Sequence, residues 1–327
     1  MDRRDYYGSL HHLIVYYIAY VLTGPQIIGC ASIILVNSLF TRSKFKEAFE
    51  VLGKSCVPSV LYPTIDESND EAGVNRQYIA YGDKYDHIFV SLNRYERKKN
   101  IELALESMKY VTSNLVTRSK ILLVIAGGYD VRVTENVEYL KELCKKAESL
   151  GLTYVNSGLG SMRTELVPNC DVIFRCSISN QERQALLTYS TALIYTPSNE
   201  HFGIVPLEAM YCKTPVVAVN NGGPLETIID NQTGFLCESN ANDFGNALKK
   251  FVDNAGMSEN FGINGKKHVE GKFTNTMMKN DLKHYLDLGS KGGSKNDRAR
   301  VMLYACSFYF VSVGSICCYL YILFTLL

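Results

Sequence analysis

Two glutamates, Glu200 and Glu208, enclose an apolar stretch in SNEHFGIVPLEAM, Ser198 to Met210, with His201 between them. The stretch follows the run TALIYTPS and carries Gly203 and then Pro206, so it reads as a strand-end loop entering a helix. A helix start leaves amide N–H groups unpaired and presents the positive end of the helix dipole, which favours an anion. Glycine at that point lets a ligand approach the backbone of Phe202, Gly203 and Ile204. Glu200 in the loop and Glu208 about a turn into the helix would flank this start. Ionised carboxylates only accept hydrogen bonds, and sugar hydroxyls donate them. The spacing therefore suits a ligand with hydroxyls at two ends and phosphate between, which describes a nucleotide-sugar. The plainer alternative is one acidic residue favoured by the dipole and one that is merely solvated.

A second strand end carries cations. In SLNRYERKKN the residues Arg94, Arg97, Lys98 and Lys99 suit a diphosphate, or equally a solvated surface turn. Gly127 and Gly128 in IAGGYD, and Gly222 and Gly223 in VNNGGPLETI, mark strand-to-helix turns, with Glu226 opening the helix after the latter. Neither pair has the GxGxxG spacing of a dinucleotide fingerprint, and no Walker A or HExxH sequence occurs. The six histidines form no metal-ligand pattern.

These loops need a frame, and from Asp86 onward the chain supplies one. Short β-branched runs HIFVSLNR, ILLVIAGG, DVIFR, TALIYTPS and PVVAV alternate with the amphipathic stretches NIELALESMKYV, TENVEYLKELCKKAES and SNQERQALLTYS. The alternation predicts an α/β, doubly wound parallel sheet, which binds ligands where loops leave the carboxyl ends of its strands. Residues 66–85 are polar and read as a linker or an exposed excursion, so the layout is 1–82, a partial domain plus linker; 83–286, the Rossmann-like unit; 287–300, a basic tether; and 301–327.

Composition adds exclusions. The 327 residues carry 34 Lys and Arg against 33 Asp and Glu, a net charge of +1, so no overall field draws in nucleic acid. Ten scattered cysteines without a CxxC pair read as reduced cytosolic thiols. The last 27 residues carry no charge and predict a C-terminal transmembrane helix, and Lys291, Lys295, Arg298 and Arg300 before it place the bulk of the protein in the cytosol. The apolar segment 10–40 breaks at Gly24-Pro25 and reads as a helix followed by a short buried strand in ASIILVNS.

The segments LVNSLFT, LYPTID, SLNRYERKKNIELALE, VIAGGYDVRVTENVEYLKEL, YTPSNEHFGIVPLEAMYCKTPVVAVNNGGPLETI and TGFLCE, in this order from about Cys30 to about Tyr285, resemble the α-1,3/1,6-mannosyltransferases of dolichol-linked oligosaccharide assembly. These belong to the retaining GT-B glycosyltransferases. The resemblance implies that Arg94 and Lys99 hold the donor diphosphate, that Glu200 reaches sugar hydroxyls and that Glu208 reaches the ribose. It implies that the backbone of Phe202 to Ile204 touches sugar and phosphate, with His201 beside it, and that the loop from Phe174 and Arg175 to Ile178 borders the base. The implied donor is GDP-mannose, the acceptor a dolichyl-diphosphate-linked oligosaccharide, and the setting the cytosolic face of the endoplasmic reticulum membrane, in possible association with other enzymes of the pathway. Neither metal nor cofactor is expected, because cations and the helix dipole offset the charge. The family also has an N-terminal Rossmann-like domain that receives the acceptor. Residues before Asp66 match only its end, so the chain is expected to be complete only with further N-terminal sequence. Two alternatives stay open: a non-catalytic, membrane-anchored module that binds a nucleotide-sugar, and a GT-B transferase with a different donor.

Overall fold

The computed structural model describes residues 33–50, 52–55, 57–65, 74–115, 119–159, 168–254, 256–291 and 301–303. The chain enters through β1 (Ile33–Val36), α1 (Leu39–Ala48), α2 (Leu52–Ser55) and β2 (Ser59–Val60). The buried strand expected in ASIILVNS is β1, with Ile34, Leu35 and Val36 each at most 2% exposed. Ser38 starts α1 in the way a serine cap should: its Oγ accepts the amide of Thr41.

The larger unit comprises β3 (His87–Leu92), α3 (Glu102–Asn114), β4 (Ile121–Gly127), α4 (Thr134–Ser149), β5 (Tyr154–Leu159), β6 (Val172–Cys176), α5 (Asn180–Tyr189), β7 (Ala192–Tyr195), α6 (Ile204–Tyr211), β8 (Val216–Val219), α7 (Pro224–Thr227), β9 (Gly234–Cys237), α8 (Ala241–Asp253), α9 (Met257–Lys272) and α10 (Asn275–Lys291). Its seven strands are parallel in the order β5-β6-β4-β3-β7-β8-β9. Helices cover both faces, which is why the central strands are continuous apolar runs with no alternation. Phe89, Leu123, Val172 and Ile194 pack under α3, α4 and α8 through Met108, Leu143 and Phe251. Val90, Val124, Ile173 and Leu193 pack on the other face against Leu186 of α5, Leu207 of α6 and Val269 of α9. The winding reverses between β3 and β7, so the loops after these two strands part and leave a crevice.

Several expectations need correction. Residues 76–84 are not an open linker: they form two successive 3₁₀ turns that pack on α5, where Tyr189 donates to the Val74 carbonyl at 2.9 Å. The tether expected from residue 287 is still helical through Lys291, because α10 keeps its own amide ladder that far. The helix expected to begin at Val301 does not: Val301–Leu303 forms β10, parallel to β1, because three apolar residues can satisfy their backbone on the open edge of β1. Among the described residues no helix is long and apolar enough to cross a membrane. Residues 304–327 lie outside the described part, as does the N-terminal helix expected before residue 33.

Candidate active site

The loop after β3 is held from below by Tyr95, which is fully buried and donates to the carbonyls of Ile125 and Arg175 at 3.0 and 3.2 Å. Its own carbonyl accepts from Asn136 Nδ2 at 2.9 Å. The loop then makes one 3₁₀ turn, Arg97–Lys99, which ends at Asn100 in the left-handed region (φ 49°). This anchoring sorts the four cations. Arg97 turns away to Glu138 and Glu142 on α4, while Lys99 turns inward and is only 8% exposed. Thr196, just past β7, donates to the Lys99 carbonyl at 2.6 Å, so the two diverging loops are tied at their base.

Lys99 Nζ meets Glu200 Oε2 at 2.6 Å, with the two side chains 10% and 22% exposed. Behind them Gly203 caps α6, with a φ of +81° that strains any side chain and a Cβ position 3.0 Å from the Tyr195 hydroxyl oxygen, a tight contact. The helix-start amides thus open onto the same space as the Lys99 ammonium. A cleft of about 520 Å³ is lined here by Lys98, Lys99, Glu200, His201, Phe202, Gly203 and Ile204, together with Asn37 and Pro63 from the N-terminal segment. A comparable hollow of about 590 Å³ between α4 and β5 holds, of the segments expected at the site, only Cys176.

The pair Gly222 and Gly223, read from sequence as a tight turn, also has a packing task. A Cβ on Gly223 would lie 2.1 Å from the Phe202 carbonyl oxygen, and one on Gly222 would lie 2.7 Å from that of Glu200. The Gly223 amide donates to the Glu200 carbonyl at 2.7 Å, so the loop after β8 carries the loop that bears Glu200.

His201 faces the N-terminal segment. Its Nδ1 lies 2.9 Å from Thr41 Oγ1, its carbonyl accepts from Ser38 Oγ at 2.5 Å, and its ring meets the edge of Phe40 at 5.6 Å. Burial pushes its pKa below the ordinary value, Glu200 opposes the shift and Lys44 adds to it. Phe202 stacks on Tyr62 at 5.8 Å. Tyr62 in turn donates to Glu226 Oε2 at 3.1 Å, and burial, with Glu226 beside it, pushes the phenol up to about 12.

Glu208 stands apart from the cleft lining: its carboxylate pairs with Arg183 of α5. Arg94 is well exposed at the loop mouth, 3.7 Å from Glu96. Phe174 and Arg175 differ from expectation. Phe174 is fully buried against Tyr154, and Arg175, 3% exposed, is held by both oxygens of Glu182 at 2.7 Å and by Ser157 at 2.9 Å. Strand β6 is covered on both faces, so these side chains are consumed inside. Sequence reasoning missed Asn37, Ser38, Thr41, Pro63 and Arg183. Only Ser38 carried a local sign, as a helix cap; contact across 163 positions leaves none. Among the described residues no group of His, Cys, Asp and Glu is arranged to hold a metal ion.

The crevice lies at the reversal point of a parallel sheet with a cation and a carboxylate at a helix start, an arrangement that suits an anionic ligand. Residues 81–268 match the model of glycosyl transferases group 1, and the chain belongs to that family. It is similar to the alpha-1,3/1,6-mannosyltransferase ALG2 of Dictyostelium discoideum, 43% identical over 265 residues, covering 75% of this chain and 58% of that protein. Against the ALG2 of Homo sapiens it is 40% identical over 263 residues, covering 79% of this chain and 59% of that protein. The chain thus spans less than two thirds of the length of these relatives. Among solved structures, the sucrose-phosphate synthase of Thermosynechococcus elongatus shares the fold with a TM-score of 0.64 at 19% identity, covering 82% of this chain and 61% of that one. A glycosyltransferase from Rickettsia africae also has a TM-score of 0.64, at 16% identity, covering 84% and 68%. These establish a GT-B type glycosyltransferase fold with a parallel sheet.

Proposed function

We propose that this chain is the donor-binding part of a retaining mannosyltransferase that moves mannose from GDP-mannose to a dolichyl-diphosphate-linked oligosaccharide, forming α-1,3 and α-1,6 linkages. The observation that carries the reading is the meeting of Lys99 and Glu200 at the start of α6. In this reading Lys99 and the amides at the helix start take the diphosphate, and Arg94 closes over it from the loop mouth. Charge that builds on the departing nucleotide is met by groups already in place, which is where most electrostatic catalysis comes from. No metal is needed for that step. Glu200 turns from Lys99 toward sugar hydroxyls, and the backbone of Phe202 to Ile204 lies along sugar and phosphate. The similarity to the two mannosyltransferases supports the donor and the linkages. The same similarity is the ground for placing the protein at the endoplasmic reticulum membrane with this part facing the cytosol, and for contact with other enzymes of the pathway. The uncharged residues 304–327, which follow β10, support a membrane attachment.

Donor binding by this chain tests the reading. GDP-mannose should bind, GDP should displace it, and UDP and ADP should not. Lys99→Ala should weaken binding by tenfold or more, about the worth of a charged hydrogen bond to phosphate. Absence of GDP-mannose binding, or displacement by UDP or ADP in preference to GDP, overturns it.

A further inference from the structure

Glu208 is one side of a contact whose other side no motif announced. Arg183 Nη2 bonds Glu208 Oε2, joining α5 to α6, with the two side chains 32% and 24% exposed. We propose that Arg183 is a positioning residue for the nucleoside end of the donor, fixing Glu208 so that its carboxylate meets the ribose hydroxyls. The proposal rests on the donor reading above, which gives Glu208 the ribose.

The backbone that carries Arg183 is immobilised three times. Ser179 caps α5 by accepting the Glu182 amide at 3.1 Å. The neighbouring Glu182 is clamped by both of its oxygens to Arg175 inside the sheet. At the far end of α5 the Leu187 carbonyl accepts from Thr214, in the loop that follows α6. Glu182 and Arg183 are therefore consecutive residues with divided tasks: one fastens the helix to β6, and the other reaches across to α6. A guanidinium has donors only, so it occupies Oε2 and leaves acceptor capacity on the same carboxylate for hydroxyl donors. Among the described residues no other side chain bonds to Glu208. A glutamate so held loses less rotamer freedom when the ribose arrives, and ordering before binding raises affinity.

The test measures binding of GDP and of 2′,3′-dideoxy-GDP to the whole chain by titration calorimetry, for the wild type, Arg183→Gln, Arg183→Lys and Glu208→Gln. The wild type should prefer GDP by about tenfold or more, the worth of hydrogen bonds to a charged acceptor. Arg183→Gln should lose most of that preference by weakening GDP alone, and Arg183→Lys should retain part of it. Equal weakening of both ligands means a merely structural role and overturns the proposal. So does unchanged or tighter GDP binding in Arg183→Gln, because the guanidinium would then compete with the ribose. If the arginine variants keep the preference while Glu208→Gln loses it, this inference falls and the donor reading stands. If the wild type binds no GDP, both fall.

Discussion

Arg175 shows how one residue can carry a site-like sequence context and a structural task. The family resemblance puts it, with Phe174, in a loop that borders the base. Its guanidinium is instead matched in a forked pair to Glu182, and both side chains are nearly out of water, at 4% and 8% exposure. Replacing a whole buried pair with apolar residues is often tolerated, whereas removing one partner leaves a charge in a low dielectric. Arg175→Leu should therefore lower unfolding stability by about 3–5 kcal/mol. The double variant Arg175→Leu with Glu182→Leu should recover a large part of that loss. Urea unfolding followed by circular dichroism reads both, and equal losses in the single and double variants would show that the charge left by losing Glu182's partner is not what the single variant costs. Lys99 and Glu200 were legible because their loops follow unmistakable strands. Arg175 entered through the family resemblance alone, and nothing in the sequence showed that Glu182, seven positions on, turns back to it.

Elements that alternate strongly were read well: TENVEYLKELCKKAES is α4 over the same residues, and SNQERQALLTYS holds α5, with Ser179 as its cap. Within the seven-stranded sheet the strands that escaped are the two edges, β5 (YVNSGL) and β9 (GFLC). An edge strand is short or partly polar because only part of it is buried, so its pattern is weak. The tie between the N-terminal segment and the donor loops was equally hidden. Glu226 of α7 accepts the amides of Leu39 and Phe40 at 2.8 Å each, one on either oxygen, and so serves the start of α1 from 186 positions away. Those amides belong to the unpaired set at any helix start, and a carboxylate there also meets the positive end of the dipole. Glu226→Ala should lower stability by about 1–2 kcal/mol, as losing a helix cap does. Hydrogen exchange at residues 39 and 40 should rise, while exchange in β4 stays as it was. Unchanged protection at 39 and 40 would show that the capping is not holding the helix start.

Over the whole molecule, three half-buried histidines sit in separate places and are pushed the same way. Burial lowers the pKa of His87 at the head of β3, of His201 in the cleft and of His268 in α9. Asp86 opposes the shift at His87, Glu200 opposes it at His201 while Lys44 adds to it, and Lys272 adds to it at His268 against a backbone bond at Thr227. In the unfolded chain each titrates near 6.5. Between that value and the lower folded one, the unfolded state binds more protons, so stability rises with pH. It is full above about 6.5 and declines as the medium becomes more acid, by up to about 1.4 kcal/mol per pH unit for each histidine, less where solvent screens the ring. On the alkaline side Tyr62 and Tyr85, both pushed up to about 12 by burial, hold their protons past the unfolded value of about 10, so stability falls again above that point. Unfolding midpoints should thus form a plateau between about pH 6.5 and 10 with a decline on either flank. His268 offers the sharpest check, since its Nε2 is buried without a hydrogen-bond partner and burial outweighs the backbone bond at Thr227 that favours the charged ring. His268→Leu should leave the midpoint at pH 8 nearly unchanged and make the acid decline shallower. An acid flank as steep as that of the wild type would show that His268 keeps its ordinary affinity for protons in the folded chain.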